Sequence, residues 1–238
     1  MSVEFVPADH VRVTLKNVHE ARRRADDAVG SPGAEPGAEF WEALFEANAV
    51  EVLSTLPDVK LTAGHVVHYR FFGQRGSDLL VRPFVARATT DIEPVRRLIE
   101  WHAPPDSLNL AARHVPTQDV ALLYRHFTFA MTAIGVFDYW VAMQELWASA
   151  RWTHSHIIAS AAELSQLTSD STWQMLHSVE ACEPAVVVDD HTARLAVLMG
   201  CPLNRFEITL QQIDLLSDKS LRYGDPILVA AGPKGYVT

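Results

Sequence analysis

Two runs rich in β-branched and aromatic residues, 59–72 and 79–88, stand on either side of Gly73-Gln74-Arg75-Gly76-Ser77-Asp78. Glycines and small polar residues between two such runs suit a hairpin loop, because they reach the backbone angles that a tight reversal demands. Antiparallel sheet is therefore expected. A second pairing of the same kind is expected near the C-terminus, where 205–214 (RFEITLQQID) and 226–231 (PILVAA) flank a longer loop containing Gly224-Asp225. Residues 11–18 (VRVTLKNV) alternate polar and apolar side chains, the period of a half-buried strand, and Ala185-Val186-Val187-Val188 reads as a short buried one.

Elsewhere the pattern turns helical. A charged helical segment is expected over 19–29. Residues 38–55 place Phe40, Trp41, Ala43, Leu44, Phe45, Ala47, Val50 and Leu53 at mostly helical spacing, and Leu56-Pro57-Asp58 closes the run. A helix over 91–102 is expected to open at Asp91 as N-cap, with Pro94 in its first turn, and to end before Pro104-Pro105. From Thr117, a candidate N-cap, helical character continues to about residue 150, and Gly135 leaves open whether this is one helix or two. Further helices are expected over 171–181 and over 192–199, the latter with Gly200 at its C′ position. Strands at both ends and helices in the middle give an α+β class, with a mostly antiparallel sheet of N-terminal and C-terminal strands packed on a central helical region. Residues 30–37 (GSPGAEPG) form the best candidate boundary, yet the thirty residues before it are too few to bury a core. The chain, 1–238, is accordingly read as a single domain with a flexible loop at about 30–37.

Composition narrows the partners. Hydrophobic residues make up 48% and charged residues 21%, which fits a chain that folds round a core. The net charge of −9 repels phosphate backbones, and the basic cluster Arg22-Arg23-Arg24 is flanked by Glu20, Asp26 and Asp27, as on a solvated helix face. Nucleic acid is not expected as a partner. The two cysteines, Cys182 and Cys201, have no CxxC spacing, which suits a reducing compartment. The N-terminal residues lack the basic and apolar regions of a signal peptide, so a cytoplasmic location is expected. The uncharged stretch Phe127–Phe137 is too short to span a bilayer and reads as a buried core helix, so no membrane partner is expected.

Candidate chemistry rests on a few side chains. Asp138 interrupts an apolar helix, where a carboxylate needs a partner; it either faces a pocket, with His126, Arg151 or His154 opposite, or sits at a solvent-facing edge. Trp140, Trp147 and Trp152, with Phe137 and Tyr139, supply aromatic surface for a small-molecule pocket, although 137, 140 and 147 share a helical face as core packing or a homodimer seam also would. His65 and His68 lie in an expected strand, where residues three apart point to opposite faces, so this HxxH does not chelate without a bulge. His154 and His156 diverge by about 200° on a helix and share a face only on a strand. Asp189-Asp190-His191 sits at an expected strand-to-helix junction and reads as a helix cap. No GxSxG, HExxH, GxGxxG or GxxxxGK[ST] spacing occurs.

The leading expectation is a non-catalytic binding or interaction protein whose aromatic helical region, with Asp138, Trp140, Trp147 and Trp152, contacts a small molecule or protein partner, a second copy included. The alternative is a metal-dependent hydrolase in which His154, His156 and a carboxylate, Asp138 or Glu163, hold a divalent cation that activates water; it requires the helix to break near residue 154. The sequence names no substrate and no cofactor.

Overall fold

The computed structural model describes residues 2–31, 36–72, 80–94, 123–147, 156–169, 172–201 and 207–232. The chain opens with β1 (Val3–Phe5) and a long helix, α1 (Ala8–Val29). This corrects the strand expected over 11–18. Strand alternation would have put Val11, Val13 and Leu15 on one face, but the buried residues are Val11, Thr14, Val18, Ala21 and Ala25, while Val13 is 56% exposed. Steps of three and four are the helical period, and eight residues are too short a window to separate it from a period of two.

Helix α2 (Ala38–Thr55) forms where expected and buries Leu44, Phe45, Ala49 and Val52. After β2 (Lys60–Leu61), strands β3 (His65–Phe72) and β4 (Leu80–Arg87) pair antiparallel, with Val67 opposite Val85, as the two β-rich runs imply. The Asp91 carboxylate accepts the Glu93 N–H at 3.2 Å, as a cap does; residues 95–102 of the helix expected there, the cap at Thr117 and the loop over 73–79 lie outside the described residues.

The apolar stretch from Phe127 divides in two. Strand β5 (Phe127–Thr128) pairs with β2, and only then does helix α3 (Ala133–Trp147) begin. Thr132 caps it: its hydroxyl accepts the Gly135 N–H at 3.1 Å, and its carbonyl accepts the Val136 N–H at 2.9 Å. Gly135 therefore lies in the first turn of one helix, where a Cβ would stand 2.1 Å from the Ala130 carbonyl oxygen. Helix α3 is buried almost all round, as an apolar helix must be.

The rest of the chain is mainly sheet. Strand β6 (His156–Ile157) leads into α4 (Ala161–Leu167), followed by β7 (Gln174–Met175), β8 (Ala185–Asp189), β9 (Thr192–Cys201), β10 (Glu207–Leu215), β11 (Leu221–Tyr223) and β12 (Ile227–Ala231). These build an eight-stranded sheet in the order β1-β8-β9-β10-β12-β7, with β11 also on β10, β6 also on β9, and every pairing antiparallel. The pairing of β10 with β12 is the C-terminal one expected from sequence.

Two expected helices are not formed. Among the described residues of 171–181 the regular element is the short strand β7, and 192–199 lies in β9. Alanine, arginine, leucine and methionine favour helix over 192–199, but Ala193, Leu195 and Val197 are buried while Arg194 is exposed, and pairing with β8 and β10 outweighs local propensity. Asp189 and Thr192 pair across a two-residue turn whose Asp190 takes φ 41°. The Asp189-Asp190-His191 string is thus a hairpin turn, not a helix cap; aspartate tolerates the left-handed region better than most side chains.

One core joins these parts. Val11 and Val18 of α1, Phe45 and Val52 of α2, Val67 and Tyr69 of β3, Phe137 and Trp140 of α3, and Val186, Leu195 and Ile213 of the large sheet pack in a single cluster. A second cluster, with Ile158, Cys182, Leu198, Ile208, Val229 and Ala230, is separate from it. Among the described residues no helix is long and apolar enough to cross a membrane.

Candidate ligand-binding cleft beside the central helix

Helices α1 and α3 are joined by polar contacts made in the same chain order. Near the start of both, His10 Nε2 lies 2.8 Å from Asp138 Oδ1, and the Thr14 hydroxyl donates to the same oxygen at 3.4 Å. Toward the far ends, Arg22 pairs with Glu145 at 2.5 Å. Asp138 is 3% exposed, so the solvent-edge reading does not hold. Its partner is His10; of the three residues considered opposite it, His126 contacts other groups, and Arg151 and His154 lie outside the described residues. Burial raises the Asp138 carboxyl above its usual range, and the hydrogen bonds from His10 and Thr14 oppose that shift. Glu145 is likewise pushed up by burial and drawn back down by Arg22.

Between these pairs lies a small cleft of about 50 Å³, lined by Leu15, Trp140, Val141, Gln144, Glu145, Ile157 and Met199. Leu15, Val141, Ile157 and Met199 make its walls apolar, and Trp140 contributes a ring that is 2% exposed. Gln144 and Glu145 supply polar atoms; the Gln144 amide also donates to the Tyr223 hydroxyl. Trp140 Nε1 lies near that hydroxyl without meeting it in hydrogen-bond geometry, so a buried donor is left unsatisfied. Burial raises the Tyr223 hydroxyl well above the ordinary phenol range.

The other expected site residues separate. Trp147 packs half-buried against the core, and its Nε1 stands near Tyr124 with no hydrogen-bond geometry satisfied. Phe137 is fully buried, so the shared face of 137 and 140 is core. Trp152 and His154 lie outside the described residues; His156 belongs to β6, opposite Gly200 on β9, and not to a continuing helix. Glu163 caps α4: Ser160 accepts the Glu163 N–H at 3.3 Å, while the Glu163 carboxylate accepts the Ala159 N–H at 2.8 Å and the Arg12 guanidinium at 2.9 Å. The Ser160-x-x-Glu163 spacing was readable in the sequence as a capping box. Among the described residues no group of three or more His, Cys, Asp or Glu is placed to hold a metal ion.

His10, Thr14, Gln144 and Glu145 were not singled out by sequence. The missed signal is the spacing of His10 and Thr14, which stand one turn apart on a helix and so reach one carboxylate, whereas on a strand they would share a face about 13 Å apart. No known protein family, curated protein or solved structure matches this chain.

Proposed function

We propose that this protein is a non-catalytic binder of a small amphipathic molecule, held in the cleft between α1, α3 and the neighbouring ends of β6 and β9. The observation that carries the proposal is the cleft itself: apolar walls against a buried tryptophan, with Gln144 and the Arg22–Glu145 pair along one side. Apolar lining with a few placed polar groups is the general character of small-ligand sites. A volume of about 50 Å³ limits the occupant to a few non-hydrogen atoms, or to the tip of a longer molecule. Burial of Phe137 and Trp140 favours a small ligand over a protein partner for this region, since little of either ring remains for a docking face.

Ligand-observed NMR with short alcohols, amides and carboxylic acids tests the reading. The Leu15→Trp and Met199→Trp variants fill the cleft from opposite sides. Saturable binding by the parent protein that both variants abolish, with their far-UV spectra retained, is the expected result. Equal binding by parent and filled variants, or no binding by any fragment, would remove the proposal.

A further inference from the structure

We propose that the occupant of the cleft is a short primary alkylammonium ion, held by its charged end on Glu145 and Gln144; this rests on the reading of the cleft as a small-molecule site. Arg22 reaches the Glu145 carboxylate through Nε and Nη2, each at 2.5 Å, and both contacts fall on Oε2. Glu145 lines the cleft, and its other oxygen, Oε1, has no partner among the described residues and is not sealed from solvent. A carboxylate accepts through both oxygens, so one of the two is left for an occupant. Gln144, the preceding residue of α3, also lines the cleft. Its amide N–H donates to the Tyr223 hydroxyl, which leaves its carbonyl oxygen without a partner among the described residues.

The unsatisfied donors nearby do not reach the cleft. Trp140 Nε1 and the Tyr69 hydroxyl are both sealed from solvent. The polar atoms that Gln144 and Glu145 leave open to an occupant therefore accept hydrogen bonds. A carboxylic acid ionised at neutral pH meets another carboxylate there, and an amide brings a carbonyl that finds no donor. A hydroxyl donates one hydrogen bond. An ammonium group carries three donors and no acceptor, and its bond to a carboxylate is charge-assisted. The chain's net charge of −9 favours the approach of a cation. Arg22, on the far oxygen, opposes that gain in part and keeps the preference moderate. The alkyl part packs on Leu15, Val141, Ile157 and Met199, and each methylene buried there should raise affinity about fourfold until the cleft of about 50 Å³ is full.

The test is ligand-observed NMR on the full chain near neutral pH, comparing n-butylammonium, n-butanol and n-butyrate, which match in length and differ in the polar end. The ammonium ion should bind about tenfold tighter than the alcohol, and the carboxylate most weakly. Added salt should narrow the difference. Glu145→Gln keeps the shape and removes the charge, so the affinity for n-butylammonium should fall about tenfold and its advantage over n-butanol should vanish. Arg22→Met combined with Glu145→Gln leaves no charge of the pair unpartnered and replaces the single variant if that loses its far-UV spectrum. Binding of n-butanol or n-butyrate as tight as that of n-butylammonium, blocked by Leu15→Trp, overturns the ammonium assignment and leaves the small-molecule reading standing. An ammonium preference that survives loss of the Glu145 charge also overturns it, and binding by none of the three removes both.

Discussion

Replacing His10 by alanine removes the partner of a buried carboxylate, and the structure sets the size of the effect. Asp138 is 3% exposed and would keep only the Thr14 hydroxyl at 3.4 Å. A hydrogen bond to a charged group contributes about 1.5–3 kcal/mol. The edge-on contact of the His10 ring with Phe137, centroids 6.3 Å apart, adds about 0.5–1.5 kcal/mol. Because the His10 side chain is 28% exposed, water enters the vacated space and recovers part of this, leaving a loss of about 2 kcal/mol near neutral pH. With an m-value of about 2–3 kcal/mol/M in urea, the midpoint should fall by about 0.7–1 M.

The same variant carries a pH signature. Burial holds the folded-state pKa of Asp138 above its unfolded value, so this group's contribution to stability is full below the unfolded carboxylate range and is lost as pH rises through the folded pKa. His10 opposes that shift, and its removal widens the gap between the two states. The destabilisation by His10→Ala should therefore grow between about pH 4.5 and about pH 7. Urea unfolding followed by tryptophan fluorescence at both pH values measures it. A loss under about 0.5 kcal/mol at neutral pH, or one that does not change with pH, refutes the reasoning.

Gly135→Ala drives a methyl group against the Ala130 carbonyl, 2.1 Å from the Cβ position, and should cost more than about 3 kcal/mol or abolish soluble expression, as thermal unfolding and yield will report. Asp190→Val puts a β-branched side chain at φ 41° and should lower stability by about 1–2 kcal/mol, while Asp190→Gly stays within about 0.5 kcal/mol of the parent in the same denaturation assay. Asp214 accepts from Arg194 at 2.8 Å and Arg222 at 2.7 Å, and these bonds hold its pKa below the usual range. Its contribution is therefore present above the unfolded pKa and lost as pH falls through the folded one. After screening, Asp214→Asn should cost only about 0.5 kcal/mol at neutral pH, less in high salt and nothing in strong acid, which a pH series of thermal melts checks.

Elements with a local signature were legible in the sequence. The 38–55 helix, the β3–β4 hairpin, strand β8 and the pairing of β10 with β12 all follow from periodicity and turn residues within a few positions. Segments 11–18 and 192–199 are each short enough to fit both periods, the second with helix-favouring residues besides, and only packing selects between them. The candidate site depends on 11–18 being helix. His10 and Thr14 reach one carboxylate because they are one helical turn apart, and Leu15 lines the cleft from the same helix.

By itself the sequence determined the α+β class, the antiparallel pairings of β3 with β4 and of β10 with β12, and the buried character of the segment that forms α3. These follow from hydrophobic period and turn chemistry, which act between near neighbours. Only the tertiary structure decided that Asp138 meets His10, 128 positions away, that Arg22 meets Glu145, and that His65 lies against His126 and not beside His68. Such meetings depend on strand order and helix packing, where the burial of many side chains at once sets the position of each polar one.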